Sequence, residues 1–261
     1  MSAARLAYKV EGPANAPPVV LLHALATSSD LWLPQLPVWA AQFLVIRIDL
    51  PGHGASPLPD GVLTLADFAA EVKAVLDDLN IQKAAFVGLS LGGMVAQAFA
   101  LAFPERCSAI VLAHTSARTD AKVREIWEGR LTQLENEGLP AQADAILGRW
   151  FPPAFAASSP LTLKWVAGQI TATPPAGYAR AIRAIQQLDH LDRLKDITVP
   201  VQVIAGELDM AAPVAVGQLM AAKMPLAQLV VMPGVAHIGN VQAPVLFTET
   251  AGLFLHAELQ A

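Results

Sequence analysis

Residues 84–93 read Ala84-Ala85-Phe86-Val87-Gly88-Leu89-Ser90-Leu91-Gly92-Gly93. The first four form a short apolar run, as expected of a strand buried on both faces. From 91 to 103 the pattern suits a helix, stopped by Pro104, which has no amide proton to continue it. Between strand and helix lies a G-x-S-x-G turn. A serine in so sharp a turn is lifted above the sheet, and the helix N-terminus beneath it favours developing negative charge. Gly88 and Gly92 are needed because side chains would collide there. The pattern alone is common by chance. Its strand-turn-helix setting makes Ser90 the candidate nucleophile instead of part of an ordinary glycine-rich turn.

Working outward, strand and helix signals alternate. Residues 19–22 form an apolar run ending at His23, and 43–48 form a second, closed by Asp49 and Pro51-Gly52. Residues 64–79 carry Leu65, Phe68, Ala69, Val72, Leu76 and Leu79 at helical spacing, with Thr64 as N-cap. Residues 109–113, 201–205 and 229–232 are further strands, and 245–255 form a closing helix. Buried strands separated by helices imply an α/β fold with a mainly parallel central sheet. The polar residues follow strand C-terminal ends, where such sheets place ligand sites.

The stretch 117–196 breaks this rhythm. It is helical without a convincing strand and is punctuated by Pro152-Pro153 and Pro174-Pro175. It holds ten of the seventeen Lys and Arg residues against nine acids, and Trp127, Trp150 and Trp165 of the five Trp. It reads as a helical cap inserted into a core made of 1–116 and 197–261.

The chain has 261 residues, 54% hydrophobic and 15% charged, which suits a folded domain with a large core. A net charge of -5 without a basic run offers no footprint for nucleic acid. No apolar run approaches the roughly 20 residues of a membrane span. The polar, proline-rich residues 11–18 do not continue a signal peptide, and a lone cysteine, Cys107, suits a reducing cytoplasm. The sequence specifies no oligomeric state.

A serine hydroxyl needs a base to take its proton. His237 follows the 229–232 strand and a Pro233-Gly234 turn, in the chain order serine, acid, histidine. His53, His114, His190 and His256 lie off that position. The acid belongs after the 201–205 strand. Asp209 is the choice because its longer loop reaches under the histidine; Glu207 is the rival and Asp120 a distant third. An oxyanion needs two backbone N–H groups. Leu91, directly after Ser90, supplies one, and Leu25, in the His23-Ala24-Leu25-Ala26 loop, the other. His23 has two readings, holding that loop by hydrogen bonds and facing the substrate. Residues 49–56 read as a turn shaped by proline and glycines.

With these residues in place, the chain resembles the α/β-hydrolase superfamily and, within it, the 3-oxoadipate enol-lactone hydrolases. The likeness runs from about residue 19 to 255. It is carried by Leu31-Trp32 with Pro34-Gln35-Leu36, by residues 88–95, and in the cap by Arg149-Trp150-Phe151, Thr173-Pro174-Pro175 and Gly177-Tyr178-Ala179. It implies the α/β-hydrolase fold, a triad on Ser90, Asp209 and His237, and no cofactor or metal. Two positions depart. His23-Ala24-Leu25-Ala26 stands where those enzymes usually have Asn-Ser-Leu-Gly, and Pro51 where they usually have Arg. The expected substrate is a small ester or lactone, 3-oxoadipate enol-lactone first, contacted by Trp150 and Arg149. Small neutral apolar esters are the alternative, and a non-catalytic ligand sensor on the same fold is the alternative of a different class.

Overall fold

A computed structural model describes residues 5–259. The outermost ends of the expected core, 1–4 and 260–261, lie outside the described residues. The seven strands are β1 (Tyr8–Glu11), β2 (Pro18–Leu22), β3 (Leu44–Ile48), β4 (Ala84–Leu89), β5 (Cys107–Ala113), β6 (Val201–Gly206) and β7 (Ala227–Met232). They form one sheet in the order β1-β3-β2-β4-β5-β6-β7. Only the β1–β3 pair is antiparallel. β2, β4 and most of β5 are buried, which is why they read as unbroken apolar runs.

The helices are α1 (Leu36–Trp39), α2 (Leu65–Asp78), α3 (Leu91–Ala102), α4 (Ala121–Trp150), α5 (Pro153–Ser158), α6 (Pro160–Ala172), α7 (Pro175–Gln186), α8 (Val214–Lys223), α9 (Gly239–Gln242) and α10 (Pro244–Leu259). Thr64 caps α2 in a reciprocal box with Asp67, a device worth about 1 kcal/mol. Leu65, Phe68, Ala69, Val72 and Leu76 form its buried face. α2 packs on α3, α3 on β4 and β5, α8 on β6 and β7, and α10 on β5. Phe86 and Phe99 meet with centroids 4.3 Å apart between β4 and α3. Trp32, Trp39 and Phe247 form a second buried aromatic group.

Between β5 and β6 lie α4 to α7 and no strand. The chain enters and leaves this segment through a paired neck. Thr119 N–H donates to Leu188 O at 2.9 Å and His190 N–H to Ala117 O at 2.7 Å. Arg118 spans Asp189 and Asp192, ion pairs too exposed to add much. α4 breaks at Gly138, whose φ of 77° a side chain would strain, and Pro140 follows. Pro153 and Pro175 each open a helix, where a missing N–H costs nothing. Residues 191–196, expected in the inserted stretch, form a short 3-10 turn packed against α3 and α8. No helix among the described residues is long and apolar enough to cross a membrane.

Candidate active site

Ser90 sits at the tip of β4 with φ 53° and ψ -111°, a conformation side chains rarely adopt. The turn is held from both sides. Its N–H donates to Ala113 O at 2.9 Å, and its carbonyl accepts from Gly93 N–H, Met94 N–H and the Thr115 hydroxyl. A Cβ on Gly92 would lie 2.0 Å from Leu22 O, and one on Gly88 2.4 Å from Gly92 O. Both glycines are therefore steric requirements of the turn.

His237 follows β7 and brings Nε2 to 3.0 Å from Ser90 Oγ. Its Nδ1 faces Asp209 Oδ2 at 2.9 Å and Oδ1 at 3.1 Å. With Nδ1–H donated to the carboxylate, Nε2 is left to accept the serine proton. Asp209 and His237 are both buried. Asp209 Oδ1 also accepts the amides of Ala211 and Ala212 at 2.8 and 2.9 Å. Burial would raise the Asp209 carboxyl, but the His237 charge and the hydrogen bonds from His114 and His237 hold it well below the usual carboxylate range. Glu207 lies apart, its carboxylate accepting Gly234 N–H at 2.7 Å in an exposed loop. Asp120 caps α4 through Val123 N–H.

His114, expected off the site, adjoins it. Its Nδ1 lies 3.2 Å from Asp209 Oδ2, and its buried Nε2 has no hydrogen-bond partner. Burial lowers its pKa despite Asp209, so the ring is neutral and donates from Nδ1. Only its place at the end of β5 could have pointed to it.

His23 corrects one expectation. It does not line the cavity beside Ser90 but is wholly buried, with Nδ1–H donating to Ala24 O at 2.8 Å and Nε2 accepting Leu50 N–H at 2.9 Å. With both nitrogens occupied it ties two loops together. Gly92 N–H donates to His23 O at 3.1 Å, joining this loop to the serine turn. Asp49 shapes residues 49–56, accepting the amides of Ser29 and Ala55. Leu91 is the first residue of α3, so its N–H has no partner within the helix. Leu25 and Ala26 line the cavity, Ala26 with φ 60°.

The cavity above Ser90 measures about 280 Å³. Core residues Leu25, Ser90, Met94, His114 and His237 form one side, and Trp127, Arg130, Arg149, Trp150 and Tyr178 of the inserted helices the other. Trp150 and Arg149 thus reach the cavity as expected. Arg130 and Tyr178 reach it unforeseen as contacts, since helical spacing does not say which face meets the core. Trp165 borders a different groove. Cys107 is buried away from the site, its thiol pushed up to about 12 by burial. Among the described residues no group of three potential ligands could hold a metal ion.

The profile of the alpha/beta hydrolase fold family matches residues 17–244. The chain is 32% identical over 242 residues to "3-oxoadipate enol-lactonase 2" of Acinetobacter baylyi, covering 93% of this chain and 90% of the relative. Its fold superposes on the enol-lactonase of Burkholderia xenovorans with a TM-score of 0.92 at 34% identity, covering 96% of each chain. A hydrolase from Pseudomonas aeruginosa aligns with a TM-score of 0.91 at 36% identity, covering 96% of this chain and 94% of the other. With the family profile spanning most of the chain, and with the enol-lactonase likeness running nearly end to end, the chain belongs to the α/β-hydrolase family.

Proposed function

We propose that the chain is a serine hydrolase that cleaves a small carboxylic ester or lactone through an acyl-enzyme. The observation that carries this reading is the line Ser90 Oγ, His237 Nε2, His237 Nδ1, Asp209, opening onto an enclosed cavity. Ser90 attacks the carbonyl carbon as His237 takes its proton. The N–H groups of Leu25 and Leu91 hold the oxyanion. His237 returns the proton to the leaving oxygen, and water cleaves the acyl-enzyme by the same route. Asp209 keeps the imidazole in the needed tautomer and stabilises its cation. The inserted helices act as the cap that closes the substrate space. The lone buried thiol suits a reducing cytoplasm.

The first substrate to test is 3-oxoadipate enol-lactone, on which relatives at about a third identity are named to act. A second reading, small neutral esters, draws on the apolar wall of Met94, Ile126, Ile146 and Ile185. A hydrolysis panel holding both classes, run with wild type and Ser90→Ala, tests the proposal. Ser90→Ala should lose several orders of magnitude. Retention of more than about a tenth of the rate, a change under 1.4 kcal/mol, would place the nucleophile elsewhere.

A further inference from the structure

The cavity wall contains two arginines, no aspartate and no glutamate. Other arginines of the inserted helices have partners: Arg118 binds Asp189 and Asp192, Arg183 binds Glu128, and Arg124 donates to Gln186 O. Arg130 and Arg149, among the described residues, form no ion pair. Tyr178, almost wholly buried beside them, has a hydroxyl without a hydrogen-bond partner.

This is a costly arrangement. Burial lowers the Arg130 guanidinium to about 10, with the Arg149 charge adding to the effect, yet it remains protonated at neutral pH. Burial also lowers Arg149. Two like charges out of bulk water without a counter-ion are unfavourable. The Trp127 ring, 4.3 Å from the Arg130 guanidinium carbon, fixes the plane of that group. A rigid planar fork with a second cation and a free hydroxyl suits a carboxylate, which can accept several donors at once.

We propose that Arg130, Arg149 and Tyr178 form a carboxylate-binding subsite in the cavity that Ser90 serves, so that the substrate is a small ester or lactone bearing a carboxylate besides the group cleaved. The proposal rests on the hydrolase reading for the cleavage step, but not for the binding. It also decides between the two substrate classes above in favour of the anionic one.

Two arms test it. The first compares hydrolysis of the monoanionic 4-nitrophenyl hemiglutarate with that of neutral 4-nitrophenyl pentanoate, in wild type, Arg130→Gln, Arg149→Gln and Tyr178→Phe. The second measures calorimetric binding of glutarate and of glutaramide to wild type and to Arg130→Gln, and needs no turnover. Wild type should prefer the anionic ester, and each arginine variant should lower the anionic-to-neutral ratio of kcat/KM at least about tenfold, as expected for losing a charged hydrogen bond. Glutarate should bind and glutaramide should not, and Arg130→Gln should weaken glutarate by a similar factor. Should Arg130→Gln fail to fold, Arg130→Lys, which keeps the charge but loses the fork, takes its place with a smaller fall expected. Hydrolysis of both esters without preference, or equal binding of the acid and the diamide, overturns the subsite and leaves the hydrolase reading standing. Arginine-dependent glutarate binding with neither ester cleaved supports the subsite and counts against the hydrolase reading.

Discussion

The backbone carbonyl of Trp150 accepts the amide proton of His237 at 3.1 Å, and its indole lies 6.4 Å from the imidazole, centroid to centroid. One residue at the end of α4 therefore both anchors the histidine loop and walls the cavity. Its side chain is only 8% exposed. Trp150→Ala should cost about 3 kcal/mol, the lower end for an aromatic truncation, because one face already borders open space. Relative rates across the ester panel should shift in the protein that remains folded. Urea unfolding and kcat/KM ratios check both, and unchanged ratios would remove Trp150 from the substrate wall.

Asp209 and Glu207 separate cleanly by geometry. Asp209→Asn leaves the packing nearly intact but presents the wrong hydrogen-bonding partner to His237 Nδ1, and should lower kcat by about 10⁴-fold. Glu207→Gln alters one exposed bond to Gly234 N–H and should change kcat by less than about twofold, in keeping with surface positions. Steady-state rates for the two variants make the comparison, and the reverse ranking would overturn the assignment of the acid.

The strain at Ser90 has a thermodynamic signature. A non-glycine residue held at φ 53° costs about 1–3 kcal/mol. Ser90→Gly removes this cost and Ser90→Ala keeps it. Both should be inactive, while Ser90→Gly should be the more stable by about 1 kcal/mol, allowing for the greater entropy glycine loses on folding. Equal denaturation midpoints would show that the turn stores no such strain.

Buried histidines set the acid side of stability. Burial and the neighbouring His23 lower His53 to about 3, and burial with Arg193 lowers His190 to about 4. Between those values and the ordinary 6.5 the unfolded chain binds more protons than the folded one. Stability is then fully present above about pH 6.5 and falls as pH drops, by up to about 1.4 kcal/mol per pH unit per histidine. Urea midpoints should be lower at pH 5 than at pH 7, and His53→Gln should narrow the gap. An unchanged gap in that variant would clear His53 of this role.

Much of this arrangement was readable from residue order, for physical reasons. Buried parallel strands must be apolar on both faces, so β2 and β4 stood out. β1 did not: Tyr8-Lys9-Val10-Glu11 is an exposed antiparallel edge without an apolar run. Ser90, Asp209 and His237 each follow a strand end, so their meeting depended only on strand order. Arg130 and Tyr178 meet the cavity through the packing of α4 on α7, which spacing along one helix cannot specify. His23 looked exposed to substrate because it follows β2. The hydrogen bond from Leu50 N–H, set by the neighbouring β3 loop, turns it inward.

The central claim is a covalent intermediate on Ser90, and intact-protein mass spectrometry after reaction with an alkyl fluorophosphonate tests it most directly. One adduct per chain should form, map by digestion to the peptide holding Ser90, be absent in Ser90→Ala, and form far more slowly in His237→Ala. An adduct that persists in Ser90→Ala, or that maps to another residue, would contradict the account.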